Sequence, residues 1–139
     1  MATTNANLTI TSDIINGMPI NITKSMVMRK LGSTVGLEET SGLRTKKFTA
    51  TDAIVGIEED EFTNTKASKV YMRNTGSSKA DFFYVAKHAS AAAADTDAET
   101  IGKLYGGDWM LIPYAADVNI TVAPNTAETM TLEYMVFVE

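Results

Sequence analysis

Residues 129–139 read TMTLEYMVFVE, in which Met130, Leu132, Tyr134, Val136 and Val138 fall two apart. Side chains of an extended chain alternate between faces, so these five share one side of a strand. Burying each is worth roughly 1.5–3 kcal/mol before the entropy of ordering is subtracted, which predicts a core strand. The opposite face carries Met135 and Phe137 beside Thr129, Thr131 and Glu133. Apolar residues on both faces predict cover on both sides late in the strand, from another element or another subunit.

Working outward, Val118, Ile120 and Val122 alternate with Asp117, Asn119 and Thr121, and Ala123-Pro124-Asn125 turns into the final strand. This alternation predicts a half-buried strand. Residues 101–105, the turn Gly106-Gly107-Asp108 and a strand from Trp109 to Ile112 precede it, with Pro113 expected to end the strand. Residues 70–73, the Asn74-Thr75-Gly76-Ser77-Ser78 turn and residues 81–85 form the clearest hairpin signal. Several short strands with turns between them predict an all-β fold, an antiparallel β-sandwich or jelly-roll-like barrel with long loops and at most short helical turns.

The first 23 residues are rich in Thr, Asn and Ile, with Asp13 their one charge. Leu8, Ile10, Ile20 and Ile22 flank an Asn16-Gly17 turn, and Pro19 restricts the second run to a strand start or edge. Two expectations follow: a first hairpin of the domain, or an arm that adds to a neighbour's sheet. Residues 24–50 show neither helical nor strand period and are expected to be a loop used for binding or as an interface. Residues 48–51 and 53–57 are expected as a strand pair or a short helical turn, and the alanine-rich stretch 89–100 as a surface loop. The domain expectation is an N-terminal hairpin or arm over 1–23 and a β-sandwich over 24–139, one globular domain overall.

A chain of 139 residues is the size of one domain that buries a core without staples. It has no cysteine, which excludes disulfides, thiolate zinc sites and cysteine nucleophiles. No window has the length of a membrane span, and MATTNANLTI lacks the pattern of a signal peptide, so a soluble protein is expected. The net charge of −5 argues against coating a phosphate backbone. Charge is uneven: residues 24–50 carry a net +4 and residues 51–66 a net −4. Solvated loops or complementary patches between subunits both account for this.

Catalytic chemistry finds no constellation. His88 is the single histidine and has no nucleophile signature around it. Asp95, Asp97 and Glu99 begin like a calcium loop, but Thr100 stands where the turn glycine belongs and Gly106 where a bidentate Glu is needed. The run Glu58-Glu59-Asp60-Glu61 reads as a wet acidic loop, and Gly102, Gly106 and Gly107 as turn glycines. Trp109, Tyr105 and Tyr114 offer an aromatic platform for a sugar ring, the basis of an alternative reading as a glycan-binding module. The eight methionines suit irregular cores and adaptable interfaces. The expectation is a protein without enzymatic activity or cofactor. For protein contacts the candidates are Leu8 and Ile10 near the start, Arg44 and Lys47 in the glycine-rich basic stretch, and Met135 and Phe137 on the last strand.

Four segments together, LTITSDIINGMPINIT, KVYMRNTGSSKADFFYV, GGDWMLIPY and ETMTLEYMVFVE, resemble small virion structural proteins of tailed bacteriophages. The resemblance covers about half the chain, chiefly residues 70–85 and 106–139, and its motifs are structural. It implies a cement or decoration protein on the outer surface of the phage head, made in the host cytoplasm. The implied partners are the major capsid protein and the protein itself, as a homo-oligomer with a trimer favoured, and neither nucleic acid nor membrane. A neck or tail component is the alternative within the same class.

Overall fold

The computed structural model describes residues 4–13, 17–30, 32–34, 36–51, 54–61, 68–87, 100–115 and 117–139. The expectations placed on His88, on Asp95, Asp97 and Glu99, and on the loop over residues 89–99 lie outside these. The chain divides into two compact units, Met1–Glu38 with Glu139, and Glu39–Val138.

The first unit is a two-stranded antiparallel ribbon, β1 (Thr4–Ser12) paired with β2 (Ile20–Met28) from Thr4↔Met28 to Ser12↔Ile20. Its second strand continues past residue 23, so Lys24 to Met28 form part of a strand and not of a loop. At the turn end Gly17 takes a left-handed φ of 80°.

The second unit is an all-β antiparallel sandwich, as the strand periodicity predicts. Its strands are β3 (Glu39–Thr40), β4 (Arg44–Phe48), β5 (Ile54–Ile57), β6 (Ser68–Asn74), β7 (Phe82–Lys87), β8 (Thr100–Tyr105), β9 (Trp109–Tyr114), β10 (Ile120–Pro124) and β11 (Met130–Val138). One sheet has the order β5-β10-β7-β8; the other is β3-β11-β6-β9, with β4 also paired to β11 beside β3. A short 3-10 turn, Glu59–Glu61, follows β5.

The final strand is the centre of the five-stranded sheet, and its five alternating residues all enter the core. They meet Ile57, Phe83, Val85, Leu104, Ile120 and Val122 from the facing sheet. Phe48 packs edge-to-face on Phe83 across the sandwich, ring centroids 5.2 Å apart.

The hairpin expected over residues 70–85 is corrected. β6 pairs with β11 and β9, whereas β7 pairs with β10 and β8, so residues 74–81 carry the chain from one sheet to the other. β8 and β9 likewise lie in different sheets. The reason is that the two turns fasten to each other. Buried Asn74 donates from Nδ2 to the Asp81 and Leu104 carbonyls (3.2 and 3.1 Å), and its Oδ1 accepts the Gly76 N–H at 3.0 Å. Its backbone accepts from Gly107 N–H and donates to Asp108, both at 3.0 Å. A third corner, Asn125, exchanges backbone and side-chain bonds with Phe82 and Ala80.

Three smaller corrections follow. Pro113 lies inside β9, opposite Lys69, because β9 is an edge strand whose outer side requires no N–H. β10 is buried along its whole length, not half-buried, and Val118 lies before it. Within residues 24–50 the expected loop contains β3 and β4. Between them the chain departs from β11, and Ser41 replaces the missing ladder: its N–H donates to the Val136 carbonyl (3.1 Å), and its Oγ accepts the Val136 N–H (2.8 Å).

Candidate interaction surfaces

The ribbon's register decides its chemistry. Ile10 lies opposite Ile22, Leu8 opposite Lys24 and Ala6 opposite Met26, so even-numbered residues of both strands share one face. That face presents Ala6, Leu8, Ile10, Ile20, Ile22, Met26 and Met28 with Lys24 opposite Leu8 and Thr4 and Ser12 at its ends, while the other carries Asn5, Asn7, Thr9, Thr11, Asn21, Thr23 and Ser25 with Val27. An amphipathic sheet of this kind forms because one face is meant to be covered. Cover fails towards the turn: Met28 is buried, but Leu8, Ile10, Ile20 and Ile22 are each about 40% exposed. Two strands alone are marginal in water, and neither ribbon edge is paired to a third strand among the described residues.

In the sandwich the remaining expected residues lie on one sheet. Arg44, on edge strand β4, forms an ion pair with Glu61 and donates from Nε to the Ser41 carbonyl at 3.2 Å. Hydrogen bonds to Glu61 and Tyr134 hold its guanidinium above the ordinary arginine range. Lys47, exposed opposite Thr131, gives the same edge a charged residue that discourages strand addition. Lys46 donates from Nζ to the Val55 carbonyl at 2.6 Å and so ties β4 to β5, closing this side of the sandwich. Met135 is half-buried opposite Tyr71, and Phe137 is only 7% exposed between Thr40 and Lys69. Phe137 is covered within one chain and offers little contact area.

The opposite side is open. There the edge strands β8 and β9 border two adjoining concavities of about 350 and 510 Å³ that share Ile101. Ile101 and Trp109 are 47% and 52% exposed. The proposed aromatic platform does not form, since Tyr114 is buried with its hydroxyl donated to Val118, and Tyr105 packs on Phe82. Sequence reasoning missed this groove. Its one visible signal was the apolar Ile101 and Trp109 on either side of a glycine turn.

Among the described residues no group of three His, Cys, Asp or Glu converges on a metal position, and no helix is long and apolar enough to cross a membrane. No family model matches this chain, and no curated protein matches it.

Proposed function

We propose that this chain is a non-enzymatic structural protein of a virion, a cement or decoration protein of the phage head whose β1–β2 ribbon serves as an assembly arm. The observation that carries the reading is the uncovered apolar face of the ribbon, Leu8, Ile10, Ile20 and Ile22. Covering what remains exposed of those four side chains is worth about 2–5 kcal/mol per arm. That is modest for one contact and substantial for a lattice of many copies, where each engaged contact raises the effective concentration of the next. The resemblance to small phage virion proteins and the acidic charge, which suits the outer rather than the DNA-facing side of a shell, support the same reading.

The test is addition of the purified protein to expanded phage shells. Binding is expected to saturate at a fixed ratio to the major capsid protein and to raise the shell melting temperature. Shells that ignore the protein overturn the reading, and a saturation of only a few copies per particle assigns it to the neck or tail instead.

A further inference from the structure

The outer edge of β1 differs from every other strand edge among the described residues. A sheet edge displays N–H and C=O groups that another chain can pair with, and proteins blunt it with charge, proline or brevity. In the sandwich, β4 carries Arg44, Lys46 and Lys47, β8 carries Lys103 and β9 carries Pro113, while β3 and β5 are two and four residues long. On the ribbon, β2 has Lys24 at its midpoint and Pro19 directly before it. β1, TNANLTITS, runs nine residues with no charge, proline or glycine. An edge of that length and composition is a template for a further strand.

The order of residues in β1 selects the occupant. Laid antiparallel against a copy of itself about Leu8, the strand sets Leu8 on Leu8, Ala6 on Ile10, Asn7 on Thr9, Asn5 on Thr11 and Thr4 on Ser12. Every position of the strand is used, apolar residues meet apolar ones, polar residues meet polar ones, and both apolar faces emerge on the same side. A slip of one residue sets Leu8 on Asn7 or Thr9 and turns the two apolar faces to opposite sides. We propose that β1 pairs in this register with β1 of a second copy of this chain, across a two-fold axis at Leu8, joining two ribbons into one four-stranded sheet ordered β2-β1-β1-β2.

Two further properties of the ribbon fit this pairing. Two strands are too few to be stable alone in water, whereas four with a common apolar face reach the number that is. Lys24 lies opposite Leu8 on β2, so the two copies' Lys24 residues stand on the outer strands, three strand spacings or about 14 Å apart, beyond the range at which salt leaves much repulsion. The joined sheet also carries Leu8, Ile10, Ile20 and Ile22 of both copies on one continuous face. A single strand edge covers less than the about 800 Å² per partner of a stable interface, so the pair is weak and dissociates on dilution. The inference rests on the ribbon being an assembly arm and is independent of the particle the arm engages.

Asn7 and Thr9 are exposed on the polar face, opposite Ser25 and Thr23 within the ribbon, so exchanging them leaves its internal pairing intact. In the proposed register position 7 of each copy meets position 9 of the other. Self-association of the full chain is followed by sedimentation equilibrium from about 10 µM to about 1 mM, with thermal unfolding checked for each variant. The unaltered chain is expected to form a reversible dimer in this range. Asn7→Lys with Thr9→Lys sets like charges opposite each other and is expected to weaken the dimer about tenfold, whereas Asn7→Lys with Thr9→Glu sets opposite charges together and is expected to restore it to within about threefold. A chain that stays monomeric throughout overturns the proposal. Association unchanged by the two lysines means that copies meet through another surface, and a lysine–glutamate variant no tighter than the two-lysine one means another register; either result overturns it as well. Loss of dimerisation with shell binding intact removes self-pairing alone, and dimerisation as described in a protein that shells ignore removes the decoration reading alone.

Discussion

Asn74 holds the crossing point of the two sheets from a position that is 1% exposed, using both donors and the acceptor of its amide. Asn74→Ala strands the Leu104 carbonyl in the interior, and a loss of about 2–4 kcal/mol is expected in urea unfolding. Thr121 shows the reverse situation, a fully buried Oγ1 without a hydrogen-bond partner among the described residues. Thr121→Val keeps the shape and removes the unpaired hydroxyl, so a gain of about 1 kcal/mol is expected in the same measurement. Tyr114 adds a pH dependence. Burial, with the charges of Glu59, Asp117 and Glu61 acting in the same direction, pushes its phenol up to about 12. An unfolded tyrosine ionises near pH 10, so between about pH 10 and 12 the folded protein retains a proton that the unfolded chain has released. Stability therefore falls as pH rises through that window, by roughly 1–3 kcal/mol, and Tyr114→Phe is expected to lose this alkaline dependence. At this scale the turn formers were legible, and the hairpin expected at Asn74 was the one role assigned incorrectly. Asn74, Gly106, Gly107 and Asn125 were all legible as turns, but whether a turn joins partners or changes sheets depends on bonds to residues distant in sequence.

At the scale of elements, β11 and its neighbour β6 were legible, and β3 and β4 on its other side were not. Its alternation has no interruption over nine residues, and every core position predicted from it is buried. β4 escaped notice because an edge strand with the sequence RTKKF buries fully only its last residue, Phe48, and its lysines answer to the edge rather than to the core. β3 is two residues long and is completed by Ser41, a contribution that no periodicity displays. Ser41→Ala removes the acceptor of the Val136 N–H, and a cost of about 1–2 kcal/mol with faster exchange of that amide is expected by hydrogen-exchange mass spectrometry or NMR. β10 was misread for a different reason. Thr121 looks like a solvent-face residue in sequence and Ala123 like the start of a turn, yet they are 0% and 2% exposed.

At the scale of the whole molecule, the sandwich owns its core, since every residue of the main cluster lies between Phe48 and Val138. The apolar positions of the ribbon were readable from residues 8–22 alone, whereas the groove was not, because nothing in the sequence says that the edges of β8 and β9 come together. Leu8 and Ile10 fall on the candidate surface with Ile20 and Ile22; Arg44 is engaged with Glu61, and Phe137 is covered. Exchanging exposed ribbon residues is therefore expected to spare the fold and damage assembly. Ile10→Ser with Ile22→Ser is predicted to shift the melting temperature of the sandwich by less than about 3 °C. The same variant is predicted to weaken shell binding at least tenfold, or about 1.4 kcal/mol, in a sedimentation assay. The most direct measurement is amide hydrogen exchange over Thr4–Ser12 and Ile20–Met28, in dilute free protein and in protein bound to expanded shells. Ribbon amides that exchange quickly when free and slow by about a hundredfold or more when bound, beside a sandwich protected in both states, are the predicted result. Ribbon amides that exchange equally in both states contradict it.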